Sequence, residues 1–355
     1  MSQMESLWDA PIYGLNQSDK AELLLSRLNG LSQWHREHCQ SYATLLESAH
    51  ASVAANDYSE ILPLAVQLFK QVRLSSITDD EVFKTITSSG TSGSKSQIIL
   101  DRTTAALQSK ALVKIMQSWV GRDRLPMLLI EQSNLIAQRS GFSARGAGAL
   151  GLSFMGREHC YALDEQMQPN WPVIKAFVAA HQNQPVLIFG FTFMLWEYLL
   201  KPLMQQGVCL GLEQAIIFHS GGWKKLEHLS VSSEQFNRHC EASIGSSCVH
   251  NFYGMAEQTG SIFVSCEQGH LHCPIFSDIL IRDPMNLAPC PIGKPGLIQV
   301  FSALAQSYPG HSILTEDMGL WLGDDDCPCG RKGRYFKVLG REPKAEVRGC
   351  SDTFS

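Results

Sequence analysis

The chain has 355 residues, of which 44% are hydrophobic and 18% charged, and 29 Lys and Arg stand against 34 Asp and Glu for a formal net charge of -5. That apolar content excludes disorder as the main state, and an acidic balance with no long basic run leaves no electrostatic footprint for nucleic acid. Eleven cysteines are too sparse for a disulfide-stapled scaffold, so reduced thiols and a cytoplasmic location are expected. The N-terminus has no basic region followed by an apolar one, so no signal peptide is expected. The most apolar stretch, 186–196, contains Gly190 and Thr192 and is too short to cross a bilayer; it reads as a buried strand and turn, and no integral membrane association is expected.

In chain order, residues 1–80 read as a helical N-terminal segment packed on the core. Leu23, Leu24, Leu28, Leu31 and Trp34, then Leu62, Leu64, Ala65 and Leu68, recur at helical spacing between Ser18 and Leu74. His35 and His38 stand one turn apart, the spacing of a metal pair, but an ordinary amphipathic helix surface accounts for them. Residues 81–262 change to apolar, β-rich runs (82–86, 97–100, 127–131, 186–191, 215–219, 247–252) separated by helical stretches, which predicts a largely parallel sheet covered by helices. From Phe263 to Ser355 the pattern becomes short strands and turns rich in Gly, Pro and Asp, and a small β-rich subdomain is expected.

The strongest local signal is the loop Ser88-Ser89-Gly90-Thr91-Ser92-Gly93-Ser94-Lys95 between two β-type runs. Glycines, hydroxyls and one lysine supply the N–H groups, donors and positive charge that a triphosphate needs. It is not a P-loop, because Gly93 stands one place too early before Lys95-Ser96. Gly146-Ala-Gly-Ala-Leu-Gly151 formally matches the dinucleotide fingerprint but lacks the strand-to-helix context, and close packing explains it better. Neither a G-x-S-x-G elbow nor an H-E-x-x-H helix occurs, which removes the usual hydrolase readings.

The ordered set formed by this loop, His219-Ser-Gly-Gly-Trp223, Asn251-Phe-Tyr-Gly-Met-Ala-Glu257, Leu314-Thr-Glu-Asp317 and Gly340-Arg341 resembles the adenylate-forming enzymes. Tyr308-Pro-Gly-His-Ser-Ile-Leu-Thr-Glu-Asp317, Cys327-Pro-Cys-Gly-Arg331 and Arg348-Gly-Cys-Ser-Asp-Thr353 are most similar to the LuxE-type acyl-protein synthetases, the long-chain-fatty-acid protein ligases of bacterial bioluminescence, with phenylacetate-CoA ligase more distant. The resemblance implies an α/β fold with parallel-rich sheets, a carboxylic acid activated by ATP and Mg²⁺, and delivery of the acyl group to a partner such as an acyl reductase. It places the β and γ phosphates on residues 88–95, Mg²⁺ on Glu257, adenine against Tyr253-Gly254 with Gly221 and Gly222 open to close approach, the ribose on Asp317, and Arg341 on the sugar or phosphate. Residues 186–196 and 142–154 hold enough Phe, Leu, Met and small residues to wall an apolar acid pocket, for a fatty or an aryl acid alike.

Two features depart from the pattern. Ala256 replaces the usual hydroxyl residue before the acid, and the sequence ends six residues after Gly349, so the mobile C-terminal domain of larger relatives is expected to be absent. An acyl- or aryl-CoA ligase lacking that domain, and a catalytically silent nucleotide-binding homologue, are therefore the alternative readings. Cys350 lies nine residues beyond Arg341, a span of at most about 30 Å, so its thiol is within reach of an adenylate. Gly349 frees the turn, Arg348 favours the thiolate, and the LuxE-type resemblance implies an acyl thioester on Cys350. Finally, Cys266 and His272 in one short turn and Cys327 and Cys329 in another form a soft ligand set for a structural zinc, with His270 and Cys273 as substitutes.

Overall fold

The computed structural model describes residues 3–87, 96–133, 151–222 and 231–341. These fall into two compact units, one built from residues 3–118 and 254–341 and the other from 119–253.

The first unit opens with α1 (Gln3–Asp9), α2 (Gln17–His38) and α3 (Gln40–Ser48). The Asn16 side chain caps α2 by accepting the Asp19 N–H at 2.9 Å, and Leu24, Leu28, Leu31 and His35, spaced four, three and four, form its buried stripe. Helical periodicity does not persist to Leu74. Leu64–Ala65 is a short strand, β1, because Pro63 biases Leu62 toward extended backbone and β1 finds a parallel partner far along the chain. Strands β2 (Lys84–Thr87) and β3 (Gln97–Leu100) pair antiparallel with Thr87 opposite Gln97. Asp101 then accepts the Thr104 N–H at 2.8 Å and starts α4 (Arg102–Val120), whose inner face carries Thr104, Gln108, Ala111 and Ile115.

The second unit is a parallel sheet of β4 (Leu125–Gln132), β5 (Gly156–Leu163), β6 (Val186–Phe191), β7 (Ala215–Ser220) and β8 (Val249–Tyr253) in the order β5-β4-β6-β7-β8. Its strands read as continuous apolar runs because Met127–Ile130, Val186–Phe189 and Ile217–Phe218 are buried on both faces. Helices α5 (Trp171–His181) and α6 (Ser233–Ile244) contribute Ile174, Phe177, Phe236 and Ile244 to that core. Register aligns Phe191 with Ser220 and Ser220 with Phe252, so the carboxyl ends of three strands finish level. Open parallel sheets bind ligands at such an edge.

The chain returns to the first unit with β9 (Phe263–Ser265), β10 (Leu271–His272), β11 (Ser277–Arg282), β12 (Gly296–Ser302), β13 (Ser312–Asp324) and β14 (Arg334–Arg341). They form an antiparallel sheet in the order β11-β12-β13-β14-β10-β9, with β1 added parallel to β13. The α/β class and β-rich C-terminal region expected from the sequence are thus present. Beneath the sheet, Lys20 and Asp278 form a buried pair at 3.5 Å, and Gln17 donates to the same carboxylate at 2.7 Å. Among the described residues no helix is long and apolar enough to cross a membrane.

Candidate active site and candidate metal centre

In the second unit, β7 ends on His219-Ser220 and the chain turns through Gly221 at φ +80°, a conformation suited to glycine. Thr192, just after β6, ties down that turn. Its hydroxyl donates to the Gly221 carbonyl at 2.6 Å and lies 2.8 Å from His219 Nδ1. His219 is buried and kept neutral, its pKa lowered to about 3 by burial and then by nearby His250. Ser220 donates to the Phe252 carbonyl at 2.9 Å, fixing the level of Tyr253 one residue on. Gly222 faces open space where a side chain would stand, as close approach of a flat ligand requires. Of the expected acid-pocket walls, Val186–Phe189 belongs to the buried core, and residues 142–150 lie outside the described residues.

In the first unit, Glu257 sits in a one-turn helix, Ala256–Gln258, and is 4% exposed. Four hydrogen bonds brace that turn, directly or through Tyr308. Tyr308 donates to the Glu257 carbonyl at 2.8 Å, Gln108 donates to the Tyr308 hydroxyl at 3.2 Å, and Gln258 donates to the carbonyls of Val300 and Gly310. Gly260 is pressed against α4: a Cβ there would lie 2.6 Å from the Gln108 carbonyl oxygen. Asp317 and Arg341 are cross-strand partners on β13 and β14, with Arg341 Nε 3.6 Å from Asp317 Oδ1 and Nη1 3.9 Å from Glu316 Oε2. Both side chains are partly exposed and able to meet a ligand.

The same hairpin carries two cysteines at its other end. The ligand atoms of Cys266, His272, Cys327 and Cys329 all lie within 4.8 Å of one another. The Sγ atoms of Cys266 and Cys327 are 3.8 Å apart, and Cys329 Sγ is 3.3 Å from His272 Nε2. His270 and Cys273 are not in the cluster: His270 Nδ1 is 3.3 Å from Cys327 Sγ, beside it, and Cys273 is buried with Lys20 Nζ on its carbonyl. Without metal, burial and the crowding of sulfurs push Cys266 up and Cys327 to about 12. Burial also opposes the Cys329 thiolate, but backbone and guanidinium donors from Arg331 outweigh it and its pKa falls.

Residues 5–355 match the family of acyl-protein synthetases, LuxE. The chain belongs to that family. It is 26% identical over 351 residues to the long-chain-fatty-acid–luciferin-component ligase of Vibrio harveyi, covering 94% of this chain and 87% of that protein. The ligase of the same description from Aliivibrio fischeri is 20% identical over 327 residues, covering 90% and 84%. Among solved structures, the open conformation of 2-hydroxyisobutyryl-CoA ligase in complex with 2-HIB-AMP and CoA superimposes with a TM-score of 0.70 at 17% identity, over 94% of this chain and 78% of that one. That likeness carries the fold.

In this LuxE-family chain the expected site residues Gly221, Gly222, Tyr253, Gly254, Glu257, Asp317 and Arg341 stand, each within its own unit, on turns and strand ends. The expected phosphate loop, Ser88–Lys95, and the expected acceptor Cys350, with Arg348 and Gly349, lie outside the described residues. The sequence pattern does not mark Thr192, Gln108, Gln258 or Tyr308 as supports of these turns. No local spacing reveals them, because each acts through a partner 27 to 200 positions away. His35 and His38 share no metal: His35 bonds Ser76 and the Ala305 carbonyl, and His38 stacks on Trp34.

Proposed function

We propose that this protein activates a fatty acid with MgATP and then carries the acyl group on Cys350 for delivery to a partner protein such as an acyl reductase. One observation carries the reading, the match to the acyl-protein synthetase family across nearly the whole chain. A substrate carboxylate oxygen attacks the α-phosphorus of ATP; the new P–O bond forms as the bond to the β-phosphate bridge breaks, and pyrophosphate leaves. The Cys350 thiolate then attacks the acyl carbonyl, the C–O bond to AMP breaks, and a thioester remains.

The family match supports the first half, with the residue roles assigned by resemblance. Asp317 accepts the ribose hydroxyls, Arg341 beside it answers the negative charge, Tyr253 and Gly254 with Gly221 and Gly222 receive adenine, and Ser88–Lys95 hold the outgoing phosphates. Glu257, a carboxylate on a braced turn, has the hard oxygen chemistry that suits Mg²⁺, which when bound offsets phosphate charge. The ten described cysteines are all free, which supports a reducing, cytoplasmic setting.

Acid-dependent ATP/pyrophosphate exchange over medium and long fatty acids and aryl acids tests the adenylation step. Exchange with at least one acid is expected; none from folded protein removes the enzymatic reading. With that acid, the chain should acquire a hydroxylamine-sensitive acyl label that Cys350→Ser abolishes while exchange continues. A label that survives moves the acceptor elsewhere, and acyl-CoA formed at a higher rate on adding coenzyme A would assign the transfer step to a CoA ligase.

A further inference from the structure

Two turns of the same build meet in the first unit. Cys266-Glu-Gln-Gly269 follows β9, and Cys327-Pro-Cys-Gly330 lies between β13 and β14. In each, the glycine N–H donates back to the carbonyl of the first cysteine, at 2.8 and 3.0 Å, and the glycine adopts φ +74° or +81°. Only glycine takes that backbone at no steric cost, so the C-x-x-G spacing is a requirement of the turn. The turns aim N–H groups at sulfur: those of Gln268 and His270 at Cys266, that of Cys329 at Cys327, and that of Arg331 at Cys329. Fixed N–H dipoles converging on sulfur make a concave anion site, which suits thiolates bound to a cation.

The spacing identifies the cation. A tetrahedral zinc with Zn–S bonds of about 2.3 Å has S···S edges of about 3.8 Å, and with an imidazole ligand S···N edges of about 3.6 Å. Cys266 and Cys327 are 3.8 Å apart, and Cys329 is 3.3 Å from His272 Nε2. The Cys266–Cys327 distance is far from the ~2.05 Å of a disulfide. Three soft sulfurs and one imidazole, their ligand atoms all within 4.8 Å of one another, favour zinc over calcium, magnesium or manganese. Strand alternation picks the ligand on β10, since side chains of neighbouring residues point to opposite faces and His272 therefore excludes Cys273.

We propose that Cys266, His272, Cys327 and Cys329 bind one Zn²⁺ in a closed structural site that clamps the β9–β10 turn to the β13–β14 turn. His270 stands outside the ligand set with its Nδ1 3.3 Å from the Cys327 sulfur, where a ring N–H would serve as the outer partner that metal ligands have. Four protein ligands leave no open position for a substrate or water. The site takes no part in adenylation: Asp317 lies seven residues up β13 from Asp324, about 23 Å along an extended strand. It stands or falls independently of the proposed reaction.

The full chain, expressed with zinc in the medium and purified without chelator, should carry one zinc per chain by elemental mass spectrometry. Exchange for Co²⁺ should give the intense visible bands of a tetrahedral site with sulfur-to-metal charge transfer. The double variant Cys327→Ser, Cys329→Ser should lose the metal, to below about a tenth of an equivalent, and melt at lower temperature. Because loss of a clamp can also unfold the chain, two further variants decide the ligand set. Cys273→Ser and His270→Gln should each keep a full equivalent, and His270→Gln should shift the cobalt–sulfur bands. Wild-type protein with less than about a tenth of an equivalent of zinc, a different metal at full occupancy, or an octahedral cobalt spectrum would overturn the site. Metal lost from either of these two variants would overturn the ligand assignment.

Discussion

Lowering the pH to about 5 should weaken the fold through buried histidines, well before carboxylates matter. His311 is fully buried in the first unit, its Nε2 3.0 Å from Ser32 Oγ and 3.3 Å from Tyr42 OH. It stacks 5.0 Å from His35, which is also fully buried and bonds the Ala305 carbonyl through Nε2 at 3.0 Å. Burial, and after it the charge of Arg27, lowers the His311 pKa to about 3, and burial with His311 beside it holds His35 well below the ordinary value. A histidine whose folded pKa is depressed stays neutral in the native state while the unfolded chain takes up a proton below about 6.5, so stability is complete above that value and is lost as pH falls toward the folded pKa. At about pH 5 the gap is roughly 1.5 units, or about 2 kcal/mol for His311. Asp278 also has a shifted pKa. Burial raises its pKa, but Lys20, Arg334 and Gln17 together bring it below the usual carboxylate value, so its contribution is lost only as pH falls through that depressed pKa. Urea unfolding followed at near-neutral pH and at about pH 5 should therefore show a stability difference that shrinks by about 2 kcal/mol in His311→Asn, whatever the variant's absolute stability. An unchanged difference would mean that His311 titrates near its ordinary value and would refute the buried, neutral pair.

Three further outcomes are expected. Glu257→Gln should lower pyrophosphate exchange by at least about tenfold at fixed Mg²⁺ while leaving the melting temperature nearly unchanged, since it removes a charge without removing volume. Tyr308→Phe takes away the hydroxyl between Gln108 and the Glu257 carbonyl and should cost about 1–3 kcal/mol in denaturant unfolding, with a drop in exchange because the Glu257 turn loses a brace; equal stability would show the bridge to be idle. Asp278→Asn strands Lys20 beside a neutral partner in a site only 3% and 0% exposed and should destabilise by about 3–5 kcal/mol, read by the same unfolding experiment.

What the sequence conveyed depended on whether the deciding contact was local. Strands 97–100 and 186–191 were legible to the residue, because their short length, their flanks and their β-type composition suit a strand better than a helix. The run from Leu62 to Leu68 misled, since helical spacing there competes with Pro63 and with a parallel partner at Ile313 and Leu314. Residues 312–324 read as short strands and turns on account of Gly319 and Gly323, yet they form one long strand. Ile298 occupies the space a side chain at 319 would need, 2.6 Å from its Cβ, and Tyr335 does the same at 323. Glycine here admits a neighbour across the sheet instead of breaking the strand.

The same distinction governs the two ends of the β13–β14 pair. The cysteine end was legible because its four candidate ligands fall into two compact turns of nearby residues, and only the fold places His272 in the cluster with His270 and Cys273 outside it. The other end was legible as a motif and not as a construction. Thr315 accepts the Asp317 N–H at 3.2 Å and donates to the Ile298 carbonyl at 2.8 Å, and a register shift between Met318 and Gly319 follows directly. A bulge re-aims the side chains on either side of it, so the presentation of Asp317 opposite Arg341 is set by β12 and by this irregularity. The cysteine end and the Asp317 end of one hairpin are therefore held by different devices, and each can be removed experimentally while the other remains.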